Sequence, residues 1–246
     1  MIQRTLSYSI SLLLCLFLAS PIMAQKTPAS KNKKEPSKKE IEYPLFNGVN
    51  IGVDLWGPGS KLFGGDYLNT EVSANVDLKH RFFPTVEVGY GHTNSWNDNG
   101  IHYKSAAPYF RIGMDYNALY KKAHGHMILL GVRYATSSFN YSVSSMEIED
   151  PIYGGSYNPN ITDDIYGGSI PYSYNDMKGT MHWLEINLGI RANIWKSLSM
   201  GWSVRLKYRL AASTGVHGDP WFVPGFGTYD SSTIGINYSI IYKLPF

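Results

Sequence analysis

The chain has 246 residues, a formal net charge of +3 and one cysteine, Cys15. This near-neutral balance argues against a nucleic-acid partner. Because the cysteine lies in an apolar N-terminal segment, the rest of the chain has neither a disulfide nor a reactive thiolate. Tyrosine and glycine are abundant, at 19 and 24 residues, and no apolar run after that segment is long enough for a membrane-spanning helix.

The first 24 residues have the pattern of a secretory signal. Arg4 supplies a positive charge, residues 10–19 form a short apolar core, and Ile-Met-Ala at 22–24 offers a cleavage site. The apolar core is shorter than the roughly 20 residues that a membrane-spanning helix requires. We therefore predict a signal peptide over residues 1–24.

A lysine-rich stretch follows the predicted signal and has no large apolar residue over positions 26–40. Such a composition cannot form a packed core. The sequence predicts a disordered linker over residues 25–45. The alternative is an electrostatic tether to an anionic partner such as the cell wall.

Residues 46–246 contain eight segments in which apolar and polar residues alternate. Side chains of a β-strand point alternately to opposite faces, so each segment predicts a strand with one apolar face. No segment shows a helical period. The predicted strands cover residues 49–55, 71–78, 82–91, 110–116, 128–135, 184–191, 200–210 and 234–246.

The connections between these strands alternate between long and short. The segments 79–81 and 193–197 are short and 117–125 is moderate. The long connections are 57–67, 92–107, 138–180 and 211–231. This alternation predicts antiparallel neighbours with the long loops at one end of a barrel, and an even strand count places both termini at the other end.

Alternation alone does not say which face points inward. A soluble barrel of the lipocalin kind has an apolar interior, whereas a membrane barrel has a polar one. The polar face here is rich in Gly, Ser and Asn, its acids and bases nearly balance, and aromatic residues gather near the strand ends, as they do at membrane interfaces. We predict an all-β fold, an eight-stranded antiparallel transmembrane β-barrel.

The last predicted strand alternates from Ile234 to a terminal aromatic residue, Phe246. In this respect the chain resembles small eight-stranded outer-membrane barrels of the OmpA/OmpX type. It also resembles uncharacterised outer-membrane barrels of Bacteroidota, where a signal ending in Met-Ala-Gln is frequent. The resemblance implies a Gram-negative cell outer membrane, contact with its lipid, and recognition of Phe246 as an assembly signal by the barrel-assembly machinery.

Charged residues on the polar face would meet in the lumen of such a barrel. Eight strands enclose a space that side chains just fill, so paired acids and bases would close it. The alternative is a path for ions or small solutes. The predicted lumen charge network consists of Asp54, Glu71, Asp77, Glu87, Arg111, Asp115, Arg133, Glu185, Arg191, Arg205, Lys207, Arg209 and Lys243.

The segment 138–180 is rich in tyrosine and acidic residues, and Ile-Tyr-Gly-Gly-Ser occurs in it twice, at 152–156 and 165–169. Tyr, Gly, Ser and Asn are favoured in binding loops, so we predict a partner loop for a glycan or a protein. A solvated surface loop and a Ca²⁺ site are the alternatives. The predicted partner-loop residues are Tyr153, Tyr157, Asp163, Asp164, Tyr166 and Tyr172.

No catalytic, phosphate-binding or dinucleotide motif occurs in the sequence. We predict no catalytic residue, no cofactor and no metal, and therefore a non-enzymatic barrel with a structural or surface-interaction role. One alternative is a narrow pore for small solutes. The other is a lipid A-modifying enzyme, for which His182 with Ser137 or Ser138 near the outer rim is the candidate pair.

Overall fold

The computed structural model describes residues 43–97, 100–121, 126–145 and 172–245, all within one compact unit, Glu40–Phe246. The predicted signal 1–24 and residues 25–42 of the predicted linker lie outside the described residues. Ten strands are present in the described part: β1 Phe46–Asp54, β2 Tyr67–Leu78, β3 Phe82–Trp96, β4 Ile101–Asn117, β5 Met127–Ser145, β6 Ser173–Trp195, β7 Leu198–Ser213, β8 Phe222–Val223, β9 Gly227–Thr228 and β10 Ser232–Lys243.

Eight of these strands form a closed barrel in the order β1-β10-β7-β6-β5-β4-β3-β2, and every neighbouring pair is antiparallel. The pairing of β1 with β10 closes the ring, so no strand edge is left open. The remaining strands, β8 and β9, form a small separate hairpin. This arrangement confirms the predicted eight-stranded antiparallel barrel.

A short helix, α1 (Trp56–Leu62), follows β1 at the long-loop end of the barrel. The sequence pattern predicts only a long connection over 57–67, and a helix within it was not predicted. The helix is only two turns long and glycine-rich, so a helical period is not visible in its sequence. Within the described ranges, no helix is long and apolar enough to cross a membrane.

The alternation of each strand places apolar side chains on the outside of the barrel and charges inside. On β5, Leu130 and Val132 are 49% and 53% exposed, whereas Arg133 between Val132 and Tyr134 is 4% exposed. The same pattern holds around the ring. The barrel therefore has the polarity of a transmembrane barrel and not that of a soluble one, because exposed apolar surface on this scale requires lipid.

Aromatic residues border this apolar band at both ends. Trp195 and Tyr242 are exposed at the short-turn end, at 72% and 46%. At the long-loop edge of the band, Tyr134 on β5 and Tyr208 on β7 lie at the same level, because each is the register partner of Leu184 on β6. Amphipathic rings at these two levels match the interfaces of a bilayer.

The strands extend well past this band at the long-loop end. β5 has 19 residues and β6 has 23, whereas about 9–11 residues cross a bilayer. The predicted loops 92–107 and 138–180 were therefore too long, since residues 92–96, 101–107, 138–145 and 173–180 belong to strands. We call this part of the barrel the outer half, and the part that carries the apolar outer band the membrane half.

The outer half reverses the polarity of the membrane half. Ser138 and Asn140 on β5 and Lys178 on β6 are exposed on its outer surface. Its interior is an apolar cluster, which we call the outer core. The outer core consists of Tyr103, Ala107, Tyr109, Ala135, Phe139, Tyr141, Val143, Met177, Met181, Trp183, Phe222, Val223 and Phe226.

Candidate functional site

Arg111, on β4, lies at the centre of the charged layer inside the barrel. Its Nε donates to Glu185 Oε1 at 2.8 Å, and its Nη1 contacts Glu71 and lies 3.4 Å from Glu87 Oε2. The three glutamates come from β6, β2 and β3, so one guanidinium joins three strands. Arginine suits this position because its planar fork presents several donors at once.

Two further arginines complete the layer. Arg133 Nε and Nη2 each lie 2.9 Å from a carboxylate, those of Glu87 and Asp115. Arg205 lies 2.8 Å from Glu71 Oε1 and 3.2 Å from Glu87 Oε2. We call these seven residues (Glu71, Glu87, Arg111, Asp115, Arg133, Glu185 and Arg205) the inner network.

All members of the inner network are nearly withdrawn from solvent, and Glu185 is 0% exposed. Removing one partner from such a set leaves a buried charge uncompensated, which is costly. Each of the four carboxylates contacts at least two donor side chains. The layer therefore holds the strands together across the lumen. The sequence predicted the members, but not which acid pairs with which base.

Asp54 is buried but does not join the inner network. Its Oδ1 accepts from the backbone N–H of Trp56 at 3.1 Å and of Tyr238 at 3.3 Å, and its Oδ2 accepts from Gly57 N–H at 3.1 Å. This carboxylate therefore fixes the start of α1 against β10 instead of pairing with a base.

Asp77 and Arg191 occupy the short-turn end of the lumen. Asp77 Oδ2 lies 3.2 Å from His80 Nδ1 and accepts from Asn47 Nδ2 at 2.7 Å, so it holds the turn between β2 and β3. Arg191 is 5% exposed and lies over the Phe83 ring, 5.5 Å from its centroid. Within the described ranges no carboxylate forms a salt bridge with Arg191.

Arg209 and Lys243 do not belong to the lumen charge network, and their predicted membership was wrong. Both are half-buried, and among the described residues neither forms a salt bridge with an acid. Arg209 lies 4.7 Å from the centroid of the Tyr229 ring, and the Lys243 side chain packs beside Gly48. Each lies near a strand end, where alternation continues beyond the enclosed part of the lumen.

It was not predicted from the sequence that part of the connection 214–231 folds into the barrel. Strands β8 and β9 form a hairpin over residues 221–229, closed by Tyr229 N–H donating to Trp221 O at 2.9 Å. Phe222, Val223 and Phe226 are at most 2% exposed and belong to the outer core. We call residues 221–229 the plug hairpin.

Charged groups of the lumen hold the plug hairpin by its backbone. Arg111 Nη2 donates to Gly225 O at 2.8 Å, and Lys207 Nζ donates to Gly225 O at 2.7 Å and to Phe226 O at 3.0 Å. Above them, Tyr103 donates its hydroxyl hydrogen to Phe222 O at 2.7 Å. A run of apolar residues beside a Gly was the only sequence signal for this contact.

The inner network separates two cavities. The outer cavity lies between the plug hairpin and strands β1, β2 and β10, and the inner cavity lies toward the short-turn end. Asp54, Glu71, Arg205 and Asn237 line both, so a single layer of side chains divides them. The other residues that line the inner cavity are mostly small or polar, including Ser73, Asn75, Thr85, Asn187, Gly189, Gly201, Ser203 and Ser239.

Of the predicted partner-loop residues, only Tyr172 is described. Its ring lies 5.5 Å from that of Tyr174, and it packs against the outer core. Tyr174 in turn stacks on His217 at 4.2 Å. Phe246 and the other partner-loop residues, Tyr153, Tyr157, Asp163, Asp164 and Tyr166, lie outside the described residues.

The barrel wall separates His182 from Ser137, one of the two serines of the candidate lipid-modifying pair. Ser137 is 2% exposed and donates its hydroxyl hydrogen inward to Pro108 O at 3.2 Å. His182 lies on the outer surface, where its Nδ1 is 2.8 Å from the Tyr134 hydroxyl. Ser138 is on the outer surface, two residues along β5 from the register partner of His182. No cluster of three or more possible metal ligands occurs among the residues that the structure describes.

A family model described as a domain of unknown function, DUF6048, matches residues 5–246. The chain belongs to the DUF6048 family. No curated protein matches this DUF6048 chain.

Two solved structures are similar to the DUF6048 barrel. A major outer membrane protein from Thermus thermophilus is 16% identical, with a TM-score of 0.39, over 80% of this chain and 98% of that one. Acinetobacter baumannii CarO2 is 12% identical, with a TM-score of 0.40, over 81% and 99%. The apolar outer surface of the closed barrel is the physical reason for its location in the cell outer membrane, as predicted.

Proposed function

We propose that this chain is a closed, non-enzymatic outer-membrane barrel that acts as a structural or surface-interaction protein through its outer half. The observation that carries the proposal is the double closure of the lumen. The inner network spans the lumen in the membrane half and divides the two cavities, and the plug hairpin occupies part of the lumen in the outer half. The outer surface beyond the membrane is polar and built on rigid strands, which suits the presentation of loops to an external partner.

A narrow pore is the alternative against which this proposal is tested. The wild-type chain, reconstituted in a planar lipid bilayer, should show no conductance steps. Arg205→Ala should show them, because Arg205 lines both cavities and its removal thins the layer between them. Lys178→Ala, an exposed substitution on β6, is the matched control and should stay closed. Steady conductance of the wild type would overturn the proposal and favour the pore.

The surface-interaction part of the proposal concerns the segment that includes the predicted partner loop. Deletion of residues 150–178 removes that segment together with the first residues of β6. A shorter deletion, 150–170, keeps all the described strands. Loss of adhesion of whole cells to a glycan array after the shorter deletion would support a partner loop. Unchanged adhesion would restrict the protein to a structural role.

A further inference from the structure

The outer cavity runs from the long-loop end of the barrel down to the inner network. Its volume is about 380 Å³, and it opens to solvent at the long-loop end. Asp66 and Thr228 are exposed at its mouth, and Glu71 and Arg205 are buried at its floor. A cavity that connects the exterior to buried charged groups has the geometry of a binding site.

The acidic groups on the cavity wall have their hydrogen bonds filled. Asp54 accepts three backbone N–H groups. Glu71 accepts from Arg111, Arg205 and the Tyr109 hydroxyl. Neither carboxylate has a vacant position that calls for a cation, so these two acids do not make the cavity a cation site.

The basic groups on the same wall do not have theirs filled. Lys207 is 8% exposed, and its ammonium donates only to the carbonyls of Gly225 and Phe226, which leaves one of its three N–H groups free. Glu185 on β6 is the register partner of Lys207, but among the described residues no salt bridge joins them, and Glu185 Oε1 accepts from Arg111 and Trp183 instead. Arg205 Nε is buried with no acceptor in that same set. A buried cation whose hydrogen bonds go only to neutral oxygens favours an anion beside it.

Aromatic rings form the upper wall of the cavity. Tyr67 stacks on Phe222 with 4.2 Å between ring centroids, and Trp56, the first residue of α1, is half exposed at the mouth. Flat apolar surfaces above the basic groups of Lys207 and Arg205 suit a ligand that has a ring and an acidic group. The two features belong to one continuous cavity.

We propose that the outer cavity binds an oxyanion, a carboxylate, phosphate or sulfate group, at Lys207. This proposal rests on the proposed function, because both assign the binding of an external molecule to the outer half of the barrel. The oxyanion belongs either to a small free anion or to an acidic saccharide whose ring lies against Trp56 and Tyr67. One of its oxygens accepts the free Lys207 N–H in a charge-assisted hydrogen bond.

The test is calorimetric titration of the refolded full chain in detergent micelles at constant ionic strength. The probes are inorganic phosphate, glucuronate and, as the neutral control, glucose. Phosphate and glucuronate should bind while glucose does not. Lys207→Met should weaken binding about tenfold or more, and Lys178→Met, on the outer surface of β6, should not change it.

The ratio of the glucuronate affinity to the phosphate affinity identifies the kind of molecule that carries the oxyanion. Glucuronate that binds about tenfold more tightly than phosphate indicates an acidic saccharide, whereas equal affinities indicate a small free anion. The proposal is overturned if neither probe binds the wild type below about 10 mM, or if Lys207→Met binds both unchanged.

A second variant keeps the test valid if Lys207→Met does not fold. Asn69 lines the cavity and its Oδ1 accepts Gly225 N–H at 3.4 Å, so Asn69→Asp keeps this acceptor while adding a negative charge. This substitution should weaken the binding of both phosphate and glucuronate, and an unchanged affinity would contradict the proposal. Failure of anion binding in a non-conducting barrel removes this site and leaves the proposed function intact.

Discussion

Between Ile128 and Tyr134, strand β5 turns apolar side chains outward and Arg133 inward, whereas from Phe139 to Val143 it turns apolar side chains inward and Asn140 outward. One uninterrupted strand therefore has two opposite polarities. The change occurs where Tyr134 marks the edge of the apolar band. Alternation specifies a strand, but the surrounding solvent decides which face is apolar: lipid around the membrane half, water around the outer half.

The interiors of the two halves are stabilised by different interactions. The membrane half has the inner network, whose charges are acceptable inside because they pair. The outer half has a close-packed apolar interior completed by the plug hairpin. A salt-bridged interior is sensitive to removal of one partner, whereas an apolar interior is sensitive to lost volume. The following substitutions test that difference.

The largest effect is expected from Arg111→Ala. This substitution leaves Glu71 and Glu185 buried without their shared cation, and the free energy of unfolding should fall by about 4 kcal/mol. Urea unfolding in lipid vesicles, followed by the mobility shift of unboiled samples on SDS gels, measures the change. Arg209→Ala, at the half-buried position over Tyr229, is the control and should cost about 0.5 kcal/mol. A loss below about 1 kcal/mol for Arg111→Ala would show that the network does not stabilise the barrel.

A charge added to the outer surface should lower the free energy of unfolding in the membrane half but not in the outer half. Val132→Arg puts a guanidinium into the lipid-facing band and should cost about 3 kcal/mol. Ser138→Arg, on the same face of the same strand in the outer half, should cost less than about 0.5 kcal/mol. Equal costs in the same urea assay would contradict the boundary at Tyr134.

Truncation of the plug hairpin tests the outer core. Phe222→Ala removes a side chain that is 2% exposed and stacked on Tyr67, and the expected loss is about 3 kcal/mol. Val216→Ala, at a side chain that is 96% exposed, should be neutral. If both variants unfold at the same urea concentration, the hairpin does not contribute to the folded barrel.

The smallest of these effects concerns Gly225, the residue at which two cations hold the hairpin. Its φ is +80°, and a Cβ there would lie 2.4 Å from Tyr109 Cγ, so Gly225→Ala should cost about 2 kcal/mol. Gly59→Ala, within α1 where a Cβ meets nothing within 4 Å, should be neutral or slightly stabilising. A neutral Gly225→Ala would mean that the hairpin does not need its close approach to Tyr109.

The membrane half could be predicted from the sequence because its strands alternate between strongly apolar and charged or very small residues. The sequence Leu130-Gly-Val-Arg133-Tyr gives an apolar outer face and a charged inner face within five positions. Pairing could not be predicted in the same way. Arg111 meets Glu185 from a distant segment because strand order and register bring them together, and alternation does not fix either.

The outer half was missed for a physical reason. Beyond Tyr134 the outward side chains become polar and the inward ones aromatic, so a pattern read for an apolar outer face ends there. The sequence pattern therefore predicts a loop at Ser138–Ser145, where the structure has strand β5. The plug hairpin was missed because an apolar run such as Trp221–Val223 is equally compatible with packing inward or with contact to lipid.

The reversal of polarity within one strand is tested most directly by spin labels on β5 in lipid vesicles. Nitroxide-labelled cysteines replace Val132 and Ser138, one at a time, in a Cys15→Ser background. The Val132 label should be relaxed by oxygen dissolved in the bilayer and protected from a water-soluble nickel complex. The Ser138 label should show the opposite. A Val132 label open to nickel and protected from oxygen would mean that this surface faces water, and the assignment of a lipid-facing membrane half would be wrong.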